Sequence, residues 1–328
     1  MRICFYAAVD DPVLFEHVEF YRQDIQILRE LGHEVSLARR PADLWGSHDL
    51  VWAWWQTSGM PAIASARMRR IPSVLVTALS DNDLSPSGVA AKGLAARTTG
   101  RIALRTANLV LATSEDTRRG LAGYTTRRLW NAPLAVDTDV YSPGGERRGD
   151  YVLCISHLTE DNVERKRIRD VVRAVASIPG LRGVIVGRHD GGVGAVRAEV
   201  ARSGAGDRIE LVGSVTAERK LELLRHALAY LQPTDYEAFG MAIAEAMACA
   251  TPVVSHAVGN VPDLVGDTGV LLEPGSGADR LATALRSVLD DPASAERGMQ
   301  ARRRVEELYS MPRRRALVER ALEVARGA

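Results

Sequence analysis

The strongest constraint on the fold of this chain is a pattern that runs twice. Short apolar runs alternate with longer amphipathic segments, halt at one polar break, and start again from nothing. The runs ICFYAAV, EVSLA, DLVWAWW, PSVLVTAL and ANLVLATS suit buried parallel strands, because a strand covered on both faces has no polar side to show. Between the first two, FEHVEFYRQDIQILRELGHEV sets Phe20, Ile25, Leu28 and Leu31 at helical spacing and closes at Gly32, a C-cap glycine. PAIASARMR and GLAARTTGRIALR are the next helical segments. After AVDTDVYSP, the polar run GGERRGD, with Pro143, Gly144 and Gly145 at its start, reads as an interdomain linker. YVLCIS, GVIVG, RIELVG, AYLQP, TPVVS and VLLEP then give a second set of strands, with helical segments between them such as AERKLELLRHA and GMAIAEAMA. From about Ala295 the chain is helical with no strand to follow, and Pro312 interrupts it. At 328 residues the chain exceeds one ordinary core. The expected architecture is α/β: two doubly wound domains over residues 1–142 and 150–308, with a helix over 309–328 that packs back on the first.

Charge excludes one class of partner. Lys plus Arg (42) and Asp plus Glu (41) leave a net charge of +1, so no nucleic acid is expected and the partner should be small or local. Cys4, Cys154 and Cys249 stand far apart in apolar runs without CxxC spacing, as reduced core residues would. The N-terminus lacks a signal-peptide pattern, and no run is long and apolar enough to span a bilayer, so a soluble cytoplasmic protein is expected. Arg-rich clusters at 302–304 and 313–315 lie on helical patterns. They could touch the inner face of an anionic membrane, or be ordinary solvated faces.

The stretch TDYEAFGMAIAEAMACATPVVSHAVGN, residues 234–260, carries Glu237 and Glu245 in a nearly apolar setting. In open α/β sheets, ligands bind outside the carboxyl ends of the strands, where helix N-termini present unsatisfied N–H groups. The loop after AYLQP is such a place, and the amides of Phe239, Gly240 and Met241 form a candidate phosphate cradle, Gly240 allowing close approach. Ionised carboxylates accept well from vicinal hydroxyls. Two of them flanking a phosphate cradle suit a ligand with a sugar at each end of a diphosphate, a nucleotide sugar. Spacing alone leaves equal room for an ordinary helix with Glu237 near its start and Glu245 exposed.

The run EAFGMAIAEAMACATPVVSHAVGNVPDLVGDTGVLLEPGS closely resembles the signature of retaining GT-B glycosyltransferases of glycosyltransferase family 4: Glu, seven residues, Glu, then a Thr-Pro-Val-Val strand and a Leu-x-Pro-Gly turn. The resemblance implies two Rossmann-like domains facing a cleft and metal-independent transfer of a sugar from a UDP- or GDP-type donor to the hydroxyl of a small-molecule, glycan or lipid-linked acceptor, with no cofactor. Glu237 would contact the transferred sugar and Glu245 the ribose. Lys166 falls on the family's diphosphate lysine. The family's Gly-Arg is replaced here by Ser156 and His157, so a protonated His157, Arg165 or Arg167 could take the Arg role, or His157 could simply pack near the sheet. Gly187 and Gly213 match turns near the diphosphate and base, though either could be a strand-end turn.

The first domain matches less. The histidine expected after its central strand is missing from TALSDND. Asp81 is the candidate for positioning the acceptor hydroxyl, with a loop-stabilising role as the alternative and His17 as a weaker candidate. Trp52, Trp54 and Trp55 could line a sugar or lipid site, although core packing fits their alternation better. The D-x-D matches at Asp81 and at Asp137 are weak metal signals, and no metal is expected. A dehydrogenase is disfavoured, since AAVDDP lacks GxGxxG. A non-catalytic GT-B protein that binds a sugar nucleotide is the main rival.

Overall fold

The computed structural model describes residues 1–78, 92–125, 128–145 and 148–327. They form two units: Met1–Ala135 together with Met311–Ala328, and Val136–Ser310.

In the first unit, β1 (Arg2–Tyr6), β2 (Glu34–Ala38), β3 (Leu50–Trp54), β4 (Ser73–Thr77), β5 (Leu109–Ala112) and β6 (Arg128–Asn131) make a parallel sheet in the order β2-β1-β3-β4-β5-β6. The middle strands β3, β4 and β5 are buried at every residue, which is why they read as unbroken apolar runs. The edge strand β2 leaves Leu37 exposed. Trp52 and Trp54 are fully buried, so core packing is their role. Trp54 also stacks against Phe20, with ring centroids 4.8 Å apart.

The helix Met311–Arg326 packs on the helix Glu19–Glu30 and on β4 and β5. A buried ion pair ties it there. Arg314 donates to Asp24 Oδ1 through Nε (3.0 Å) and Nη2 (2.8 Å), and to Oδ2 through Nη2 (3.0 Å). The remaining polarity is also met: Arg314 Nη1 reaches the carbonyls of Ala132 (2.6 Å) and Pro133 (3.2 Å), and the Trp52 indole donates to Asp24 Oδ2 (3.2 Å). Burial pushes the Asp24 carboxyl above its ordinary value, and the guanidinium and indole oppose that rise.

The second unit repeats the design with β7 (Tyr151–Ile155), β8 (Arg182–Val186), β9 (Ile209–Gly213), β10 (Ala229–Gln232), β11 (Val253–His256) and β12 (Val270–Leu272), parallel in the order β12-β11-β10-β7-β8-β9. β7 and β10 are neighbours although β8 and β9 lie between them in the chain, and the strand order reverses between them. This is a topological switch point, so the loops leaving their carboxyl ends flank one crevice.

All three cysteines are free and buried, and burial pushes the Cys154 thiol up to about 12, as expected of an inert core group. Among the described residues, no helix is long and apolar enough to cross a membrane.

Candidate active site

The short helix Glu160–Arg165 that follows β7 carries Lys166 at its C-cap and the loop after β10 carries Glu237, and the switch point brings them together. Lys166 Nζ lies 3.5 Å from Glu237 Oε2, with the side chains 16% and 15% exposed, so both are shielded yet reachable. Glu237 is aimed from beneath. Gln232 Nε2 donates to its Oε2 (3.0 Å), and the buried Tyr230 hydroxyl donates to Gln232 Oε1, which fixes the amide with its N–H side toward the carboxylate.

The loop backbone is held from several sides. Arg165 Nη1 donates to the Tyr236 carbonyl (2.9 Å), Asp235 N to the Arg165 carbonyl (2.8 Å) and Asn260 N to the Glu237 carbonyl (2.9 Å), while Asn260 Nδ2 reaches the Phe239 carbonyl (3.1 Å). Gly259, with φ +52°, lies flat against Glu237, and a Cβ there would run into the Glu237 carbonyl. Replacing Gln232 by Leu should leave the fold intact and lower activity by roughly tenfold or more through the loosened Glu237, which comparison of kcat with a thermal melt would check.

The helix Met241–Ala248 starts immediately after Gly240, whose φ of +96° is left-handed, and no side chain caps it. Its first-turn N–H groups therefore have no intrahelical acceptor and present the positive end of the helix. Phe239 is buried edge-on against Tyr309, with centroids 5.7 Å apart. A Cβ on Gly240 would stand 3.1 Å from Leu264 Cδ2. Gly240→Ala should cost about 1–2 kcal/mol in stability from the left-handed backbone alone, measurable as a shift of the urea midpoint.

Because helical geometry begins only at Met241, Glu237 is a loop residue and the two glutamates do not share one helix face. Nor is Glu245 exposed: it is 4% accessible and takes a 2.7 Å ion pair from Lys220 Nζ. The charges of both Glu245 and Glu237 act on the Tyr230 phenol, whose pKa burial raises well above the ordinary value, so both carboxylates bear on that buried ring.

The remaining candidates divide. His157 is exposed in the β7 loop. Loss of water from part of its ring, then Arg188 and Lys166, lower its pKa against the pull of Asp190, so the free protein holds a neutral imidazole there at neutral pH. Arg165 spends its guanidinium on Tyr236 and on Asn162 Oδ1 (2.8 Å). Arg167, left-handed at φ +48°, pairs with Asp170 (2.7 Å) and Asp235 (3.3 Å). Gly187 (φ +149°) ends β8 against the Ser156 carbonyl, where a Cβ would collide, and its N–H donates to the Gly213 carbonyl (2.9 Å). Gly213 (φ +81°) ends β9. His17, the last residue of the short helix Leu14–His17, folds back on the Val13 carbonyl (3.0 Å). Asp137 Oδ1 accepts from the amides of Asp139 (3.1 Å) and Val140 (3.2 Å), which gives the second D-x-D match a turn-forming role. Asp81, with the other D-x-D match, lies outside the described residues.

Sequence reasoning missed Gln232, Lys220, Gly259 and Asn260. It also missed His256, fully buried between the carbonyls of Thr234 (Nδ1, 3.2 Å) and Ser276 (Nε2, 3.1 Å). Burial lowers His256 more than these carbonyls raise it. Its folded pKa therefore sits below the unfolded value of about 6.5. The stability it contributes is complete above pH ~6.5 and is lost as pH falls below that, since the unfolded chain then binds the proton the folded one refuses. Urea midpoints at pH 7.5 and 5.5 should differ less in a His256→Gln variant than in the natural chain.

Two parallel, doubly wound units of this kind make the GT-B fold. Residues 149–291 match the family model Glycosyl transferases group 1. The chain is 29% identical over 272 residues to the D-inositol 3-phosphate glycosyltransferase of Nocardiopsis dassonvillei, spanning 75% of this chain and 63% of that relative's length. In structure it is similar to sucrose-phosphate synthase from Thermosynechococcus elongatus (TM-score 0.83, 20% identity, 98% of each chain). It is also similar to Anabaena HepE in complex with UDP-glucose (TM-score 0.78, 19% identity, 98% of this chain and 99% of that one). At these identities the two structures speak to the fold.

Proposed function

We propose that the protein is a retaining glycosyltransferase, moving a sugar from a nucleoside diphosphate sugar to an acceptor hydroxyl. The observation that carries this reading is the Lys166–Glu237 pair at the switch point, beside an uncapped helix N-terminus. Breaking an anomeric C–O bond leaves negative charge on the diphosphate and an oxocarbenium-like sugar. Lys166 and the amides at Phe239–Met241 meet the first charge, and the Glu237 carboxylate supports the second while accepting from sugar hydroxyls. This kit supplies the leaving-group stabilisation without a metal. The acceptor side falls to the first unit, with Asp81 proposed to position the hydroxyl. A group 1 glycosyl transferase match over most of the second unit and a relative named as a glycosyltransferase support the reading. A UDP-type donor is favoured by the likeness to a UDP-glucose complex.

The test is nucleotide release from a panel of UDP-, GDP- and ADP-sugars by the purified protein, in EDTA and in Mg²⁺, with the product's anomeric configuration read by NMR. Release that persists in EDTA, with the configuration kept, is the expected result. Donor binding without any turnover would instead identify a sugar-nucleotide-binding protein, and an inverted product would overturn retention.

A further inference from the structure

The helix Ala217–His226 packs against β7 and the helix Met241–Ala248 and sends one long side chain toward Glu245. Lys220 stands in AERKLELL, a pattern that reads as a solvent-facing helix, yet its side chain is only 26% exposed. Its ammonium sits 2.7 Å from Glu245 Oε1 and 5.1 Å from the centre of the Tyr141 ring. Burial works to lower the Lys220 pKa, but the Glu245 charge and Tyr141 outweigh it and the ammonium titrates well above its ordinary value. Glu245 in turn is 94% buried at its side chain, where a lone carboxylate would tend to take up a proton and lose its acceptor character.

We infer that Lys220 is a positioning residue for the nucleoside end of the donor site: it keeps Glu245 ionised and fixes the direction in which that carboxylate meets a ribose hydroxyl. A fixed charge of this kind gains its effect by strengthening the hydrogen bond that Glu245 accepts from the sugar, since bonds to an ionised acceptor are roughly twice as strong as neutral ones. The inference rests on the reading of Glu245 as the ribose contact.

The experiment is calorimetric titration of the whole protein with UDP, GDP and ADP and with their 2′-deoxy counterparts, in the natural chain and in Lys220→Met and Lys220→Arg. The natural chain is expected to prefer its ribonucleotide over the deoxy form by roughly tenfold, in keeping with one charge-assisted hydrogen bond. Lys220→Met should bring that ratio close to one and raise the donor KM with little change in kcat, and Lys220→Arg should restore most of it. Should Lys220→Met fail to fold, Lys220→Gln, which keeps a donor to Glu245 without the charge, is read in the same way. A discrimination that survives in the folded Met or Gln variant overturns the inference alone. No ribose preference in the natural chain overturns the placing of Glu245, and no nucleotide binding at all overturns the proposed function; the inference falls with either.

Discussion

Lys166→Met is expected to lower kcat for sugar transfer by about 10²- to 10³-fold, the range seen when one preorganised group that stabilises developing anionic charge is removed. The ammonium lies 3.5 Å from Glu237 Oε2 and is the nearest cation to that carboxylate in the described structure. On the proposed mechanism it would matter most when the diphosphate acquires its extra charge, so the loss should fall on kcat more than on donor affinity. Lys166→Arg should recover only part of the rate, because a planar fork does not reproduce a compact point charge. Steady-state kinetics with the donor found in the panel would check both. An unchanged kcat in Lys166→Met would remove the lysine from the chemistry and leave the pair a structural contact.

Arg314→Met should cost the first unit about 3–5 kcal/mol, because it leaves Asp24 buried without its counter-charge. For a unit of this size the thermal midpoint should drop by roughly 6–20 °C. The double replacement Asp24→Leu with Arg314→Met should regain most of that loss, since removing both charges leaves no stranded ion. Calorimetry that resolves the two units would show the effect in one transition. A double variant as unstable as the single one would mean that the Ala132 and Pro133 carbonyls, rather than Asp24, depend on the guanidinium.

Most strands were legible because they are buried on both faces and so cannot alternate. β6 was not, since RLWN is a short edge strand paired on one side only, with both ends exposed. Lys166 and Glu237 could be picked out one at a time, but their meeting depends on β7 lying beside β10, and that adjacency leaves no mark in spacing. Lys220 hides for a different reason: on a helix where Glu218, Arg219 and Glu222 are exposed, one inward lysine has the same local pattern as its neighbours. Gln232 ends a short apolar strand, where a polar side chain reads as a loop beginning rather than as a support for Glu237. Gly259 and Asn260 belong to a loop whose need for closeness shows only once the Glu237 carbonyl is seen against it.

The return of residues 311–326 to the first unit sets an order on synthesis. The second unit is one unbroken segment and can close as soon as Ser310 has emerged. The unit that begins at Met1 has no such freedom: its Asp24 and Trp52 wait for Arg314, which at roughly 5–20 residues per second leaves the ribosome well after the rest of that sheet. Of the two units, the one begun first is thus the one completed last.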